Sequence, residues 1–138
     1  MKGSQVKTYL CGGINGLSDS DCKDWRETAK SLLNTSTLDP MRRDFRGRED
    51  ECMNDIVLGD MEDIADSQFL LVNATKPSWG TAMEIVYANR KNIPVAAFIN
   101  PGKVSPWLRF HCTFISNTLE GAISAINTWA KACMPAVA

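Results

Sequence analysis

The run Phe69-Leu70-Leu71-Val72 has no polar residue on either face of an extended chain, so a strand built from it must be covered on both sides. Residues 6–11 and 93–99 read the same way, and stretches of helical periodicity lie between the strands. Strands without polar alternation, separated by helices, call for a parallel sheet with helices on both faces. The first strand ends at Gly12-Gly13, and Ser18-Asp19 opens a helix to about residue 33 with Trp25, Ala29, Leu32 and Leu33 on one face. A short strand over 37–39 is stopped by Pro40, and a polar, arginine-rich loop runs to about residue 50. Met53, Val57, Met61 and Ile64 form the stripe of a second helix. A strand over 67–74, a helix over 81–90 and the strand over 93–99 follow, the last broken by Asn100-Pro101-Gly102. A short fifth strand over 113–116 and a helix over 119–133 complete the pattern, with a tail over 134–138 expected to fray.

At 138 residues this is one domain, 1–138, with no repeat, linker or low-complexity segment. The net charge of -1 supplies no field for a nucleic-acid polymer or an acidic membrane. Arg42, Arg43, Arg46 and Arg48 cluster, but Asp44, Glu49, Asp50 and Glu51 interleave with or follow them, which suits a single phosphate better than a polyanion. The five cysteines are odd in number, widely spaced and free of CxxC pairs, as expected for free thiols in a reducing cytoplasm. No apolar run nears the roughly 18 residues that span a bilayer, and no signal peptide precedes the first strand, so the expected location is cytoplasmic.

In open α/β sheets ligands sit beyond the carboxyl ends of the strands. The loops there are 12–17, 40–47, 75–81 and 100–107, which are also the loops richest in Gly, Arg, Ser and Trp. The third of them carries Lys76-Pro77-Ser78-Trp79-Gly80-Thr81-Ala82-Met83-Glu84, a turn and helix start suited to an anion. Glu84 has two readings there. Thr81-x-x-Glu84 matches a capping box, and a carboxylate at a ligand-facing helix end can act as a nucleophile toward an oxocarbenium-like anomeric carbon. Asp60 is either a solvated helix position beside Glu62 and Asp63 or a general acid for the leaving group. Ser78 and Ser105 are turn formers or neutral phosphate donors. Tyr9, Phe45, Trp79 and Trp107 fill a core or stack on a base, and the loop positions of the two tryptophans favour the pocket. His111, the single histidine, has no ligand spacing around it and reads as structural or interfacial. Gly12-Gly13-Ile14-Asn15-Gly16 lacks the GxGxxG pattern of a dinucleotide site.

Four segments together resemble the nucleoside 2-deoxyribosyltransferase superfamily, including its 2'-deoxynucleoside 5'-phosphate N-hydrolase and CMP hydrolase branch. They are Tyr9-Leu10-Cys11-Gly12-Gly13-Ile14-Asn15-Gly16, Gly59-Asp60-Met61, the strand from Asp66-Ser67 to Val72, and Pro77-Ser78-x-Gly80-x-x-x-Glu84. The resemblance runs from about residue 7 to about residue 105. It implies that Glu84 is the nucleophile at C1', that Asp60 assists departure of the base, and that Tyr9 positions the nucleophile. It places Gly12, Ile14, Asn15, Arg43, Ser78, Trp79, Gly80 and Ser105 around the substrate. Ser78 stands six residues before Glu84, where the nucleoside-preferring transferases have aspartate and the monophosphate hydrolases have serine. Ser105 resembles a serine that the hydrolases lend to a neighbouring subunit's phosphate site, so a homodimer or higher homo-oligomer is implied. The loop over 40–47 is not part of the minimal hydrolase pattern, and Asn15 stands where such a hydrolase can carry arginine, a charge that Arg42, Arg43 or Arg46 could replace.

The expectation is therefore an α/β, flavodoxin-like (Rossmann-like) domain with a parallel five-stranded sheet. Its implied reaction is cleavage of the N-glycosidic bond of a nucleoside 5'-monophosphate through a glycosyl-Glu84 intermediate, with neither metal nor organic cofactor. Base exchange between deoxynucleosides, a non-catalytic nucleotide-binding module and an NAD-related glycohydrolase are the rivals.

Overall fold

The computed structural model describes residues 3–133; the tail expected to fray, 134–138, lies outside the described residues. Among the described residues the order is β1 (Gly3–Gly12), α1 (Asp19–Leu32), β2 (Thr35–Leu38), a 3-10 turn (Pro40–Arg42), α2 (Met53–Ala65), β3 (Phe69–Asn73), α3 (Trp79–Arg90), β4 (Val95–Phe98), a second 3-10 turn (Pro101–Lys103), α4 (Pro106–His111), β5 (Phe114–Ser116) and α5 (Leu119–Cys133). The five strands make one sheet in the order β2-β1-β3-β4-β5, every pair parallel. That order is flavodoxin-like, and it reverses direction between β1 and β3.

The period of two along the strands sorts the core into two layers. Leu10, Phe69, Leu71, Ala96 and Phe98 pack with Ala29 and Leu33, and with Ala122, Ile123, Ile126 and Ala130 of α5. The alternate residues Tyr9, Cys11, Leu70, Val72, Val95 and Ala97 pack against Ile64 of α2 and Ile85 and Ala88 of α3. Helices thus cover both faces, which is why the strands carry no polar side to read.

Several boundaries differ from expectation. The first strand begins before residue 6, and β2 covers Thr35–Leu38 because Asp39 leaves the sheet to cap the 3-10 turn, accepting from Met41 N–H at 2.8 Å. The loop expected over 100–107 contains the 3-10 turn and the start of α4, which places Trp107 in a helix. Ser105 caps α4, accepting from Leu108 N–H at 3.0 Å, and Pro106 sits in its first turn. A serine cap followed by proline is a helix-start signal, and here it ends the loop at Ser105.

Candidate active site

The site is built where β1 and β3 end and α3 begins. Tyr9 and Cys11, two residues apart, project from β1 to the same face of the sheet, and both are fully buried. Gly12 follows, packed so closely that a Cβ there would lie 2.8 Å from the Trp25 ring and 3.2 Å from Asn73 Cβ. Arg26 of α1, fully buried, holds this strand end by donating to the carbonyls of Leu10 and Gly12 (Nη2 at 3.3 and 3.1 Å) while Nη1 donates to Cys22 O at 2.7 Å.

Helix α3 starts two residues before the expected Thr81. Its N-cap is Ser78, whose hydroxyl accepts from Thr81 N–H at 3.4 Å. The Thr81-x-x-Glu84 capping box is therefore not formed, and Thr81 Oγ1 is buried without a partner. Glu84 turns inward instead. The Tyr9 hydroxyl donates to Oε2 at 2.5 Å, and the Cys11 thiol donates to Oε1 at 3.4 Å.

Opposite α3, helix α2 supplies Asp60. Arg43, from the arginine-rich loop, donates through Nη2 to Asp63 Oδ2 at 2.8 Å and reaches Asp60 Oδ1 at 3.4 Å. Asp63, which also pairs with Arg42 at 2.8 Å, anchors this guanidinium. Gly59 leaves room for it: a Cβ at that position would lie 3.2 Å from Arg43 Nε.

Glu84, Asp60 and Arg43 line one cleft of about 120 Å³, together with Gly12, Ile14, Asn15, Pro40, Phe45, Arg46, Ile56, Ser78, Gly80 and Thr81. Its electrostatics follow from burial and from two carboxylates sharing a small space. Burial, reinforced by the negative charge of Asp60, raises the Glu84 carboxyl from 4.5 to about 7, against the hydrogen bonds from Tyr9 and Cys11. Burial raises Asp60 as well, while Arg43 opposes the rise. The Tyr9 phenol is pushed up by burial and by Glu84, so it stays a donor. Both carboxylates are thus pushed toward their protonated forms. A carboxylate poised near neutrality, a second carboxylate close by and neutral donors at a helix N-terminus can together support nucleophilic and acid–base chemistry.

Of the residues singled out in the sequence, Glu84, Asp60, Gly12, Ile14, Asn15, Arg43, Ser78 and Gly80 line this cleft, with Tyr9 directly beneath Glu84. Trp79 and Ser105 do not. Five helical residues at about 100° each turn Trp79 roughly 140° away from Glu84, and it is 85% exposed. Both line a second, larger cavity of about 650 Å³ with Trp107, Leu108 and His111, which shares Ser78 and Thr81 with the first. Trp107 is 77% exposed, and His111 Nδ1 lies 2.7 Å from Trp107 O within α4. Sequence reasoning missed Cys11 and Arg26. The position of Cys11 two residues after Tyr9 was the available signal for the first, and nothing in the local pattern marks the second. Among the described residues no three His, Cys, Asp or Glu side chains converge to hold a metal ion, and no helix is long and apolar enough to cross a membrane. All five cysteines are unpaired.

No protein-family model matches the sequence, and no curated protein matches it. Solved structures do match the fold. A conserved protein from Enterococcus faecalis V583 is 17% identical, with a TM-score of 0.67 over 91% of this chain and 99% of that one. A 2-deoxyribosyltransferase from Bacillus psychrosaccharolyticus is 15% identical, with a TM-score of 0.70 over 86% of this chain and 90% of that one. The CMP N-glycosidase BcmB of Clostridium botulinum is 13% identical, with a TM-score of 0.57 over 89% of this chain and 98% of that one. The chain thus has the flavodoxin-like fold of a 2-deoxyribosyltransferase and a CMP N-glycosidase, in keeping with the family its sequence resembles.

Proposed function

We propose that this protein is an enzyme that cleaves the N-glycosidic bond of a nucleoside 5'-monophosphate, with Glu84 as nucleophile. The observation that carries the reading is the meeting of Glu84 and Asp60 in one cleft at the carboxyl edge of the sheet, with Tyr9 bonded to Glu84. Activities of structures with this fold, a 2-deoxyribosyltransferase and a CMP N-glycosidase, lend it support.

In the proposed reaction an oxygen of ionised Glu84 attacks C1', the C1'–N bond breaks, and its electron pair leaves with the base. Asp60 delivers a proton to the departing base, and the developing oxocarbenium charge is stabilised by the carboxylate beside it. Water then attacks C1', its proton goes to the Asp60 carboxylate, and Glu84 is released. The Ser78 hydroxyl, the Gly80 N–H at the positive end of α3, and Arg43 through nitrogens other than the Nη2 held by Asp63 and Asp60 suit a 5'-phosphate. Arg46, though in the cleft, is already committed to Asp44, Asp19 and Leu17 O.

The test is chromatography of free base after incubation with each nucleoside or deoxynucleoside and its 5'-monophosphate, with and without a second base. Base release from the monophosphates alone is the expected result. A new nucleoside formed only with an acceptor base would favour transfer, the reading supported by the higher TM-score of the 2-deoxyribosyltransferase. Nucleotide binding without release of base would leave a non-catalytic binder.

We also propose that the second cavity is covered by another copy of this chain. It adjoins the catalytic cleft through Ser78 and Thr81 and exposes Trp79, Trp107 and, beside them on α4, Phe110, a large apolar patch at the mouth of a site. Light scattering is expected to give a dimer or larger species, and Trp107→Asp a monomer with reduced base release. A monomeric parent protein would refute this.

A further inference from the structure

We infer that Cys11 is a positioning residue for Glu84, a weak donor that leaves Oε1 as the carboxylate oxygen that attacks. The inference rests on the reaction proposed above, and its geometric half stands independently of it. The two oxygens of Glu84 meet different donors from one strand. Oε2 takes the Tyr9 hydroxyl at 2.5 Å, a short bond that draws negative charge toward that atom. Oε1 takes only the Cys11 thiol at 3.4 Å, and S–H is a weak donor. Oε1 is therefore oriented and keeps most of its electron density for the bond to C1', while the C1'–N bond breaks. The thiol also lies 4.0 Å from Thr81 O, but its single proton serves one acceptor, and Oε1 at 3.4 Å is the nearer.

Cys11 is suited to this and to little else. It is fully buried, and burial together with the charge of Glu84 pushes its thiol well up, so it stays S–H and is no nucleophile. The groups that act most strongly on Glu84 are Asp60 from α2, Tyr9 and Cys11 from β1, and Arg26 from α1. Arg43, from the loop before α2, acts on Asp60. Serine at position 11 would be a stronger donor on a shorter arm, and alanine would remove the donor.

The decisive experiment follows the Glu84 carboxyl by carbon-13 NMR across pH in the full chain, for the parent, Cys11→Ser and Cys11→Ala, alongside the pH profile of base release. The parent midpoint is expected near 7. Alanine should raise it and serine lower it, each by about half a unit or more, because a hydrogen bond to the charged form favours that form. The acid limb of kcat/KM should move with the midpoint, and serine should lower kcat by weakening the attacking oxygen. Midpoints and acid limbs that coincide in all three proteins, with unchanged melting, would overturn the assignment. Midpoints that move while no variant or parent releases base would uphold the contact and refute the reaction.

Discussion

Glu84→Gln is expected to lower base release by roughly 10³-fold or more, the scale seen when a nucleophile is lost. Glutamine keeps the size of the side chain and an oxygen for the Tyr9 hydroxyl, which donates to Oε2 in the parent, so the cleft should persist. What disappears is the negative charge that attacks C1'. Free base would be quantified by chromatography under saturating nucleotide, with circular dichroism and calorimetric nucleotide binding as controls for fold and site. Asp60→Asn should cost about 10²- to 10⁴-fold, because it removes proton delivery and leaves the nucleophile in place. A Glu84→Gln protein that keeps activity within tenfold of the parent would exclude the covalent mechanism and return Glu84 to a structural role.

The same substitution should stabilise the protein, and only at higher pH. In the folded chain the Glu84 carboxyl is raised from 4.5 to about 7 by burial and by Asp60. A folded carboxyl that holds its proton more tightly than the unfolded one favours the folded state at low pH. Below about 4.5 both states are protonated and no penalty exists. Between 4.5 and about 7 the unfolded chain ionises first and the penalty grows. Above 7 it is complete, at roughly 3 kcal/mol. Glutamine removes it and also relieves the repulsion felt by Asp60. Thermal melts at pH 8 should place Glu84→Gln roughly 10 °C above the parent, with the two converging near pH 4. Equal melting temperatures at pH 8 would mean that Glu84 ionises in the fold at no cost. Loss of activity with gain of stability is the pattern of a site held in a strained charge state for function.

The layering of this domain was legible because burial on both faces leaves its mark on sequence. Phe69-Leu70-Leu71-Val72 could be covered only by helices on two sides. Of the Met53, Val57, Met61, Ile64 stripe expected to face the sheet, Ile64 joins the core while Met53 and Val57 are exposed. The turn Pro77-Ser78-Trp79-Gly80 likewise marked a helix start at a strand end. Capping was less legible. Thr81-x-x-Glu84 and Ser78 both offer a cap, and local pattern favours the former, yet the cap went to Ser78 because the chain enters the helix at Trp79. Trp79 itself was misplaced for the same reason: the helix starts two residues earlier than expected, which takes Trp79 out of the loop and turns it toward the second cavity.

Sequence alone determined that the protein is a parallel α/β domain and which loops gather at its ligand edge, since both follow from periodicity within single segments. Glu84 and Asp60 were singled out by the family resemblance, their local patterns fitting a cap and a solvated helix position as well. Only the tertiary structure decided what surrounds those carboxylates. Tyr9 and Glu84 lie 75 residues apart in the chain, and they touch because β1 pairs with β3 and α3 packs over both. The raised carboxyl of Glu84, the weak thiol at Oε1 and the arginine locked over Gly59 are consequences of burial and neighbours. Those depend on distances between segments, which no local pattern encodes.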